Sequence, residues 1–268
     1  MNWYLTDSDD SNDGKFTQYL KDERMRRYAP EIFDVLKDIV DNKNKSVQNI
    51  QKRNLIPGAV FYDEKLRLSG SPKERTEKRT QWFERSIEAL RDAELIFMDP
   101  DNGLLINRNV SASAATKYIL PEEAEQYFRD GHNVVYYCHK GRRTSDSWRE
   151  YISYLFIRNP DAVPCVLTYH KGSQRSYVFL IHEKDFAAYR RIIDCYQRKW
   201  GRIVSEEYTN KGDAASVKIG VEMVLEKTDG TKITISKRAD GRVAIVSSRQ
   251  PGSTVIRTVD HMCSLLGF

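Results

Sequence analysis

Leu95-Ile96-Phe97-Met98-Asp99-Pro100-Asp101-Asn102-Gly103 is the stretch whose reading decides the fold. Its first four residues are apolar without alternation, the pattern of a short strand covered on both faces, as in a parallel sheet. The next five are turn formers. Asp and Asn bond their own backbone, Pro presets φ, and Gly reaches conformations closed to other residues. A buried strand leaving into so many polar groups predicts an acidic turn delivered to a functional cleft.

The segments on either side alternate in the same way. Upstream, Pro57-Gly58 breaks a helical region, and Ala59-Val60-Phe61-Tyr62 is expected to be a short strand ending at Asp63. A charged segment through Lys78 runs into a helix with Phe83, Ile87 and Leu90 on one face. Downstream, a helix is expected from Pro121 through Phe128, with Pro in its first turn and Glu122 and Glu123 beside its positive end. Residues 133–138 read as a strand. Ser147-x-x-Glu150 fits a capping box for a helix that turns Trp148, Tyr151, Ile152 and Leu155 inward. Residues 165–169 and 176–181 read as strands around Lys171-Gly172-Ser173, and a helix is expected from about Asp185 to Lys199. The expectation over 56–210 is therefore an α/β core, Rossmann-like, with a mostly parallel sheet and a terminal antiparallel hairpin.

Residues 1–55 are expected to form a helical segment packing on that core. Ile32, Leu36 and Ile39 fall on one helical face, and a second helix runs from about Ser46 to Arg53. The acidic run from Asp7 to Gly14 is a turn rather than a calcium loop. With Asp9 at the first position, Leu20 stands where a bidentate Glu is required. Residues 217–268 read as a small β-meander appendage, with Asp229-Gly230 and Asp240-Gly241 as hairpin turns.

Composition narrows the setting. No apolar run among the 268 residues approaches the ~18 needed to span a bilayer, and no signal peptide or membrane partner is expected. Cys138, Cys165, Cys195 and Cys263 lie far apart, which predicts reduced thiols in a cytoplasmic protein rather than a zinc site. The net charge of +5 is modest, but the cations cluster at Arg24, Arg26 and Arg27, at Lys140, Arg142, Arg143 and Arg149, and at 190–202. Such clusters are compatible with nucleic acid or a nucleotide as partner. Oligomeric state is not legible.

In parallel α/β sheets, ligands bind beyond the carboxyl ends of the strands, where loops and helix N-termini converge. Asp63-Glu64, Asp99–Gly103 and His139-Lys140-Gly141-Arg142-Arg143 would leave the sheet there, with Lys117-Tyr118 nearby. The candidate catalytic residues are therefore Asp99, Asp101, Asn102 and His139. The candidate substrate-binding residues are Asp63, Lys117, Tyr118, Lys140, Arg142 and Arg143. Cys138 should point to the opposite face from His139, so no Cys–His nucleophile pair is expected.

Asp99-Pro100-Asp101-Asn102 after a strand resembles the Asp/Asn-Pro-Pro-aromatic motif of class I S-adenosylmethionine-dependent amino-methyltransferases. The resemblance spans about residues 56–200. It implies that Asp99 and the following carbonyl accept from the amino group of a base taken out of its stack. Here Asp101 and Asn102 replace the second Pro and the stacking aromatic, and no upstream strand ends in the family's Gly-x-Gly cofactor turn. Residues 18–180 also resemble a group of bacterial proteins that share the Leu95–Leu104 motif, Trp82-Phe83 and Thr116-Lys117-Tyr118; that resemblance implies no activity.

The leading expectation is a methyltransferase-like protein that acts on or binds nucleic acid or nucleotide. Two others stand beside it. In a metal-dependent phosphodiesterase, Asp63, Asp99 and Asp101 would hold a divalent ion and His139 would serve as general acid or base. In a non-catalytic binding module, the enzyme fold would be a scaffold. The pattern names no cofactor.

Overall fold

In the computed structural model the described residues are 1–7, 17–107, 110–170 and 174–206, together with three strands further on. The chain divides into two compact units, Met1–Thr209 and Asn210–Phe268. The first opens with short helices α1 (Glu23–Arg26), α2 (Pro30–Asp41) and α3 (Val47–Lys52), then the long α4 (Pro72–Leu90). Next come β1 (Leu95–Met98), β2 (Gly103–Leu104), α5 (Ala112–Ala115), β3 (Tyr118–Ile119), α6 (Pro121–Arg129) and β4 (Asn133–His139). The unit closes with α7 (Ser145–Arg158), β5 (Ala162–Tyr169), β6 (Arg175–His182), α8 (Phe186–Trp200) and β7 (Val204–Glu206).

These elements make a mixed α/β architecture around a five-stranded sheet, ordered β1-β4-β6-β5-β7. Within this sheet β1 and β4 are the one pair of parallel neighbours; β4 and β5, joined through α7, point the same way but are separated by β6, which is antiparallel to both, and β7 is antiparallel to β5. The expected mostly parallel sheet is thus confined to the β1–β4 pair. The hairpin strand β6 inserts between β4 and β5 instead of lying at the edge. Pro164 fits because β7 pairs only with Leu167, Thr168 and Tyr169, leaving the Pro164 end of β5 an edge.

Alternation along the strands sends residues to two different layers. Ile96, Met98, Val134, Tyr136, Cys138, Val166, Val178 and Leu180 pack in one buried cluster with Trp82 and Leu90 of α4, Tyr127 and Phe128 of α6, and Trp148, Ile152 and Phe156 of α7. Cys165, Leu167 and Ile181 point the other way, onto Ile193, Phe186 and Tyr189 of α8.

Three local readings change. The expected strand at 59–62 is reduced to a bridge, and its neighbour is the chain's beginning: Asn2 bridges Tyr62 on one side and Met98 on the other, both parallel. Asn2 is fully buried, takes Phe97 O and offers its own O to Asp99 N. Residues 1–5 therefore extend the sheet beside β1 rather than belonging to a helical segment. In α2 the buried residues are Phe33 and Ile39, while Ile32 is exposed. Helix α7 starts one turn earlier than expected, capped by Thr144, whose hydroxyl accepts from Ser147 N at 3.3 Å.

In the second unit the described residues form three antiparallel-paired strands, β8 (Met223–Glu226), β9 (Lys232–Lys237) and β10 (Val243–Ser247), ordered β10-β9-β8. The expected Asp-Gly turns there, the 171–173 turn and most of the 7–14 acidic turn lie outside the described residues. Among the described residues no helix is long and apolar enough to cross a membrane.

Candidate functional site

The acidic turn leaves the carboxyl end of β1 and is held at each step. Asp99 N donates to Asn2 O, and Asn102 N donates to Lys117 O. Gly103 crosses directly over β4 at a φ of +99°; a Cβ there would come within 2.5 Å of Cys138 Cβ and 2.8 Å of Tyr151 Oη. No other residue fits that crossing. Tyr151 then clamps the exit, its hydroxyl donating to Leu104 O at 2.9 Å and accepting from Leu104 N. Below the turn, β2 pairs with β3 in parallel, which ties the acidic turn to Lys117 and Tyr118.

The side chains of the turn divide by role. Asp101 is exposed at 3.8 Å from Lys117 Nζ. Asn102 Oδ1 lies 3.3 Å from His139 Nε2, joining the turn to the end of β4. Asp99 is different. Its carboxylate accepts no hydrogen bond and enters no ion pair among the described residues. Burial pushes its pKa up to about 7, and the nearby Asp101 charge adds to that.

Asp99 shares its sheet face with aromatic residues that the sequence reading did not single out. Tyr137 of β4 faces Tyr177 of β6 in register, their rings 6.0 Å apart, and Phe97 lies 6.2 Å from Tyr177. Tyr177 is raised to about 12 by burial first and then by the Asp99 charge. Tyr137 is also raised by burial and by Asp99, against the pull of Arg175, which hydrogen-bonds it. Arg175 in turn stands opposite His139 in the β4–β6 register. The signal for this group is the alternation on two facing strands, Tyr137/His139 and Arg175/Tyr177, which the strand pattern of either segment alone does not bring together.

The remaining candidates separate. Lys140 Nζ is 3.4 Å from Ser145 Oγ, and Arg142 is exposed. Arg143 folds back over the Tyr151 ring, 4.1 Å from its centroid, and donates to His139 O and Lys140 O. It builds the loop. Tyr118 offers its carbonyl to Arg79 at 2.7 Å. Glu64 is held by Arg85 through both oxygens. Asp63 belongs to another neighbourhood: with the Gln51 amide turned to satisfy both of its neighbours, Gln51 donates to Asp63 Oδ2 at 3.3 Å and accepts from Trp3 Nε1 at 3.1 Å. The Asn2 strand intervenes between the Tyr62 chain and β1, a lateral distance of roughly 10 Å. Asp63, Asp99 and Asp101 are thus no common ligand set, and among the described residues no group of three or more His, Cys, Asp or Glu side chains could hold a metal ion. Cys138 is fully buried with its thiol pKa pushed up by burial, so it forms no nucleophile pair with His139.

The residues beside β1 do not fit an S-adenosylmethionine cradle. That position holds Asn2, followed by Trp3-Tyr4-Leu5, with no glycine turn and with Tyr4 buried in the core. No protein-family model, curated protein or solved structure matches the chain.

Proposed function

We propose that this protein binds a nucleotide or nucleic acid, with Asp99 reading the edge of a base laid against the Tyr137–Tyr177 face. The observation that carries the reading is the Asp99 carboxyl itself, without a protein partner on the sheet face of Tyr137 and Tyr177, where burial pushes its pKa up to about 7. Such a carboxyl can donate through its hydroxyl and accept through its carbonyl, matching an adjacent amine and ring nitrogen on a base. Aromatic faces stack any base, and each contact contributes about 1–3 kcal/mol. His139, steadied by Asn102, with Lys140 and the exposed Arg142 would meet the phosphate. Lys117 and Asp101 hold the turn to the β3 side.

The same reading takes the layered core as Rossmann-like, since the parallel β1 and β4 send an acidic and a basic exit to one edge, and 217–268 as a β-meander appendage. It keeps recognition of the base and leaves out methyl transfer, for which the described residues beside β1 offer no cradle.

Calorimetry with AMP, CMP, GMP and UMP tests it. At least one should bind, and Asp99→Ala should weaken that binding at least tenfold while the circular dichroism spectrum is unchanged. S-adenosylmethionine should give no heat. Absence of nucleotide binding, or equal binding by the folded variant, would refute the proposal.

A further inference from the structure

A second aromatic and basic feature lies where α8 ends. Tyr28, from the segment after α1, stacks on Trp200 with ring centroids 4.5 Å apart and planes 12° from parallel. The two rings help line an open cleft of about 500 Å³ with Arg27, Lys199, Gly201 and Ile203. Arg27 lies 4.8 Å over the Tyr28 ring and donates to its hydroxyl; it and Lys199 are both exposed, and neither enters an ion pair among the described residues. The adjoining cations differ. Arg24 is committed to Asp22, and Arg26 to Asp34. Two cations outside any ion pair, flanking stacked rings, suit a phosphate next to a base.

This cleft connects with the Asp99 site across the sheet. Tyr169 of β5 lies 6.5 Å from Trp200 and stands opposite Arg175 in the β5–β6 register. Arg175 reaches Tyr137, beside Asp99. Tyr196, one turn before Trp200 on α8, is exposed and close enough to Tyr177 for its charge to act on that phenol. The row from Asp99 to Trp200 thus runs Tyr137, Tyr177, Arg175, Tyr169. It crosses three strand spacings, about 14 Å, before the cleft begins. One base with its sugar and phosphate does not cover both ends.

We infer that the ligand of the Asp99 site is a single-stranded nucleic acid, whose neighbouring nucleotides run over Tyr169 and Arg175 into the Tyr28–Trp200 cleft. The inference rests on the proposed reading of Asp99. Rings alternating with cations along a track favour a single strand with exposed bases, because a duplex hides its base faces.

Fluorescence polarisation tests it with labelled mixed-sequence DNA and RNA octamers, their duplexes and the mononucleotides as competitors. A single-stranded octamer of at least one kind should bind ten or more times as tightly as the best mononucleotide and better than its duplex. The double variant Arg27→Glu/Lys199→Glu changes only exposed side chains and should fold. It should lose at least tenfold in octamer affinity, with a shallower salt dependence, and keep mononucleotide affinity. Trp200→Phe, which retains a ring, should lose less than the double variant. Octamers binding no better than mononucleotides, or a double variant equal to wild type, would overturn the inference and leave the Asp99 reading standing. Loss of all nucleotide binding would overturn both.

Discussion

Glu123, buried on the helix-covered side of the sheet, and Asp99, half-buried at its carboxyl edge, are two carboxyl groups treated in different ways. Glu123 sits in a capping box on α6 and accepts from its own N-cap, Leu120 N. It also takes both Nε and Nη2 of Arg79 and the hydroxyl of Tyr4. Arg79 also donates to Ala115 O and Tyr118 O. Every polar atom of the pair is answered, and the pair ties α4, α6, β3 and the N-terminal strand together. The Asp99 carboxylate, by contrast, accepts no hydrogen bond and enters no ion pair among the described residues. The contrast teaches that a carboxyl the fold buries is fully paired, whereas the half-buried carboxyl at the strand exit is the one that, on the proposed reading, meets a ligand.

The largest break in that contrast is expected at Glu123. Glu123→Gln leaves Arg79 buried without a counter-charge and should cost about 3–5 kcal/mol in urea unfolding.

Asp99→Asn should act in the opposite direction. Its folded pKa lies above the unfolded value, so its contribution to stability is full below about pH 4 and is lost as pH rises toward 7. At pH 8 the variant should therefore exceed wild type by about 2–3 kcal/mol, an amount reduced to allow for the partial exposure of the group, and the gap should close on acidification. Parallel denaturation curves at pH 4, 6 and 8 check the sign.

Gly103→Ala sharpens the comparison from the backbone side. The added methyl meets Cys138 and Tyr151, and the φ of +99° disfavours any side chain. A loss of about 2 kcal/mol is expected, together with weakened nucleotide binding as the turn shifts. The smallest effect belongs to Arg142→Ala. Thermal unfolding should move within about 0.5 kcal/mol, and the salt dependence of nucleic-acid binding should fall by about one unit of slope.

How far these two environments were legible in the sequence depended on range. Leu95–Met98 and its turn announced themselves because continuous apolar residues and turn chemistry are local signals. The capping box at Ser71 and Glu74 carried an equally local signal, Ser-Pro-x-Glu, but the surrounding charges masked it and α4 was expected to start later. Asn2 could not be read. A single polar residue with no strand pattern enters the sheet only because Tyr62 and Met98 each present a free backbone edge. Glu123 was legible as a residue near a helix start, but its partner Arg79 is 44 residues away on another helix. The acidic and basic exits were read correctly as neighbours through Asn102 and His139. Asp63 was not brought to them, since the spacing of strands in a sheet is a tertiary property. The aromatic floor was missed because it is formed by the pairing of β4 with β6, which no short window contains.

The most direct measurement is a pH titration of the Asp99 side-chain carboxyl by carbon-13 NMR, assigned with Asp99→Asn. A midpoint of about 7 is predicted, moving when a nucleotide is added. A midpoint near 4 that ignores the nucleotide would contradict it, and would make Asp99 an ordinary solvated turn residue.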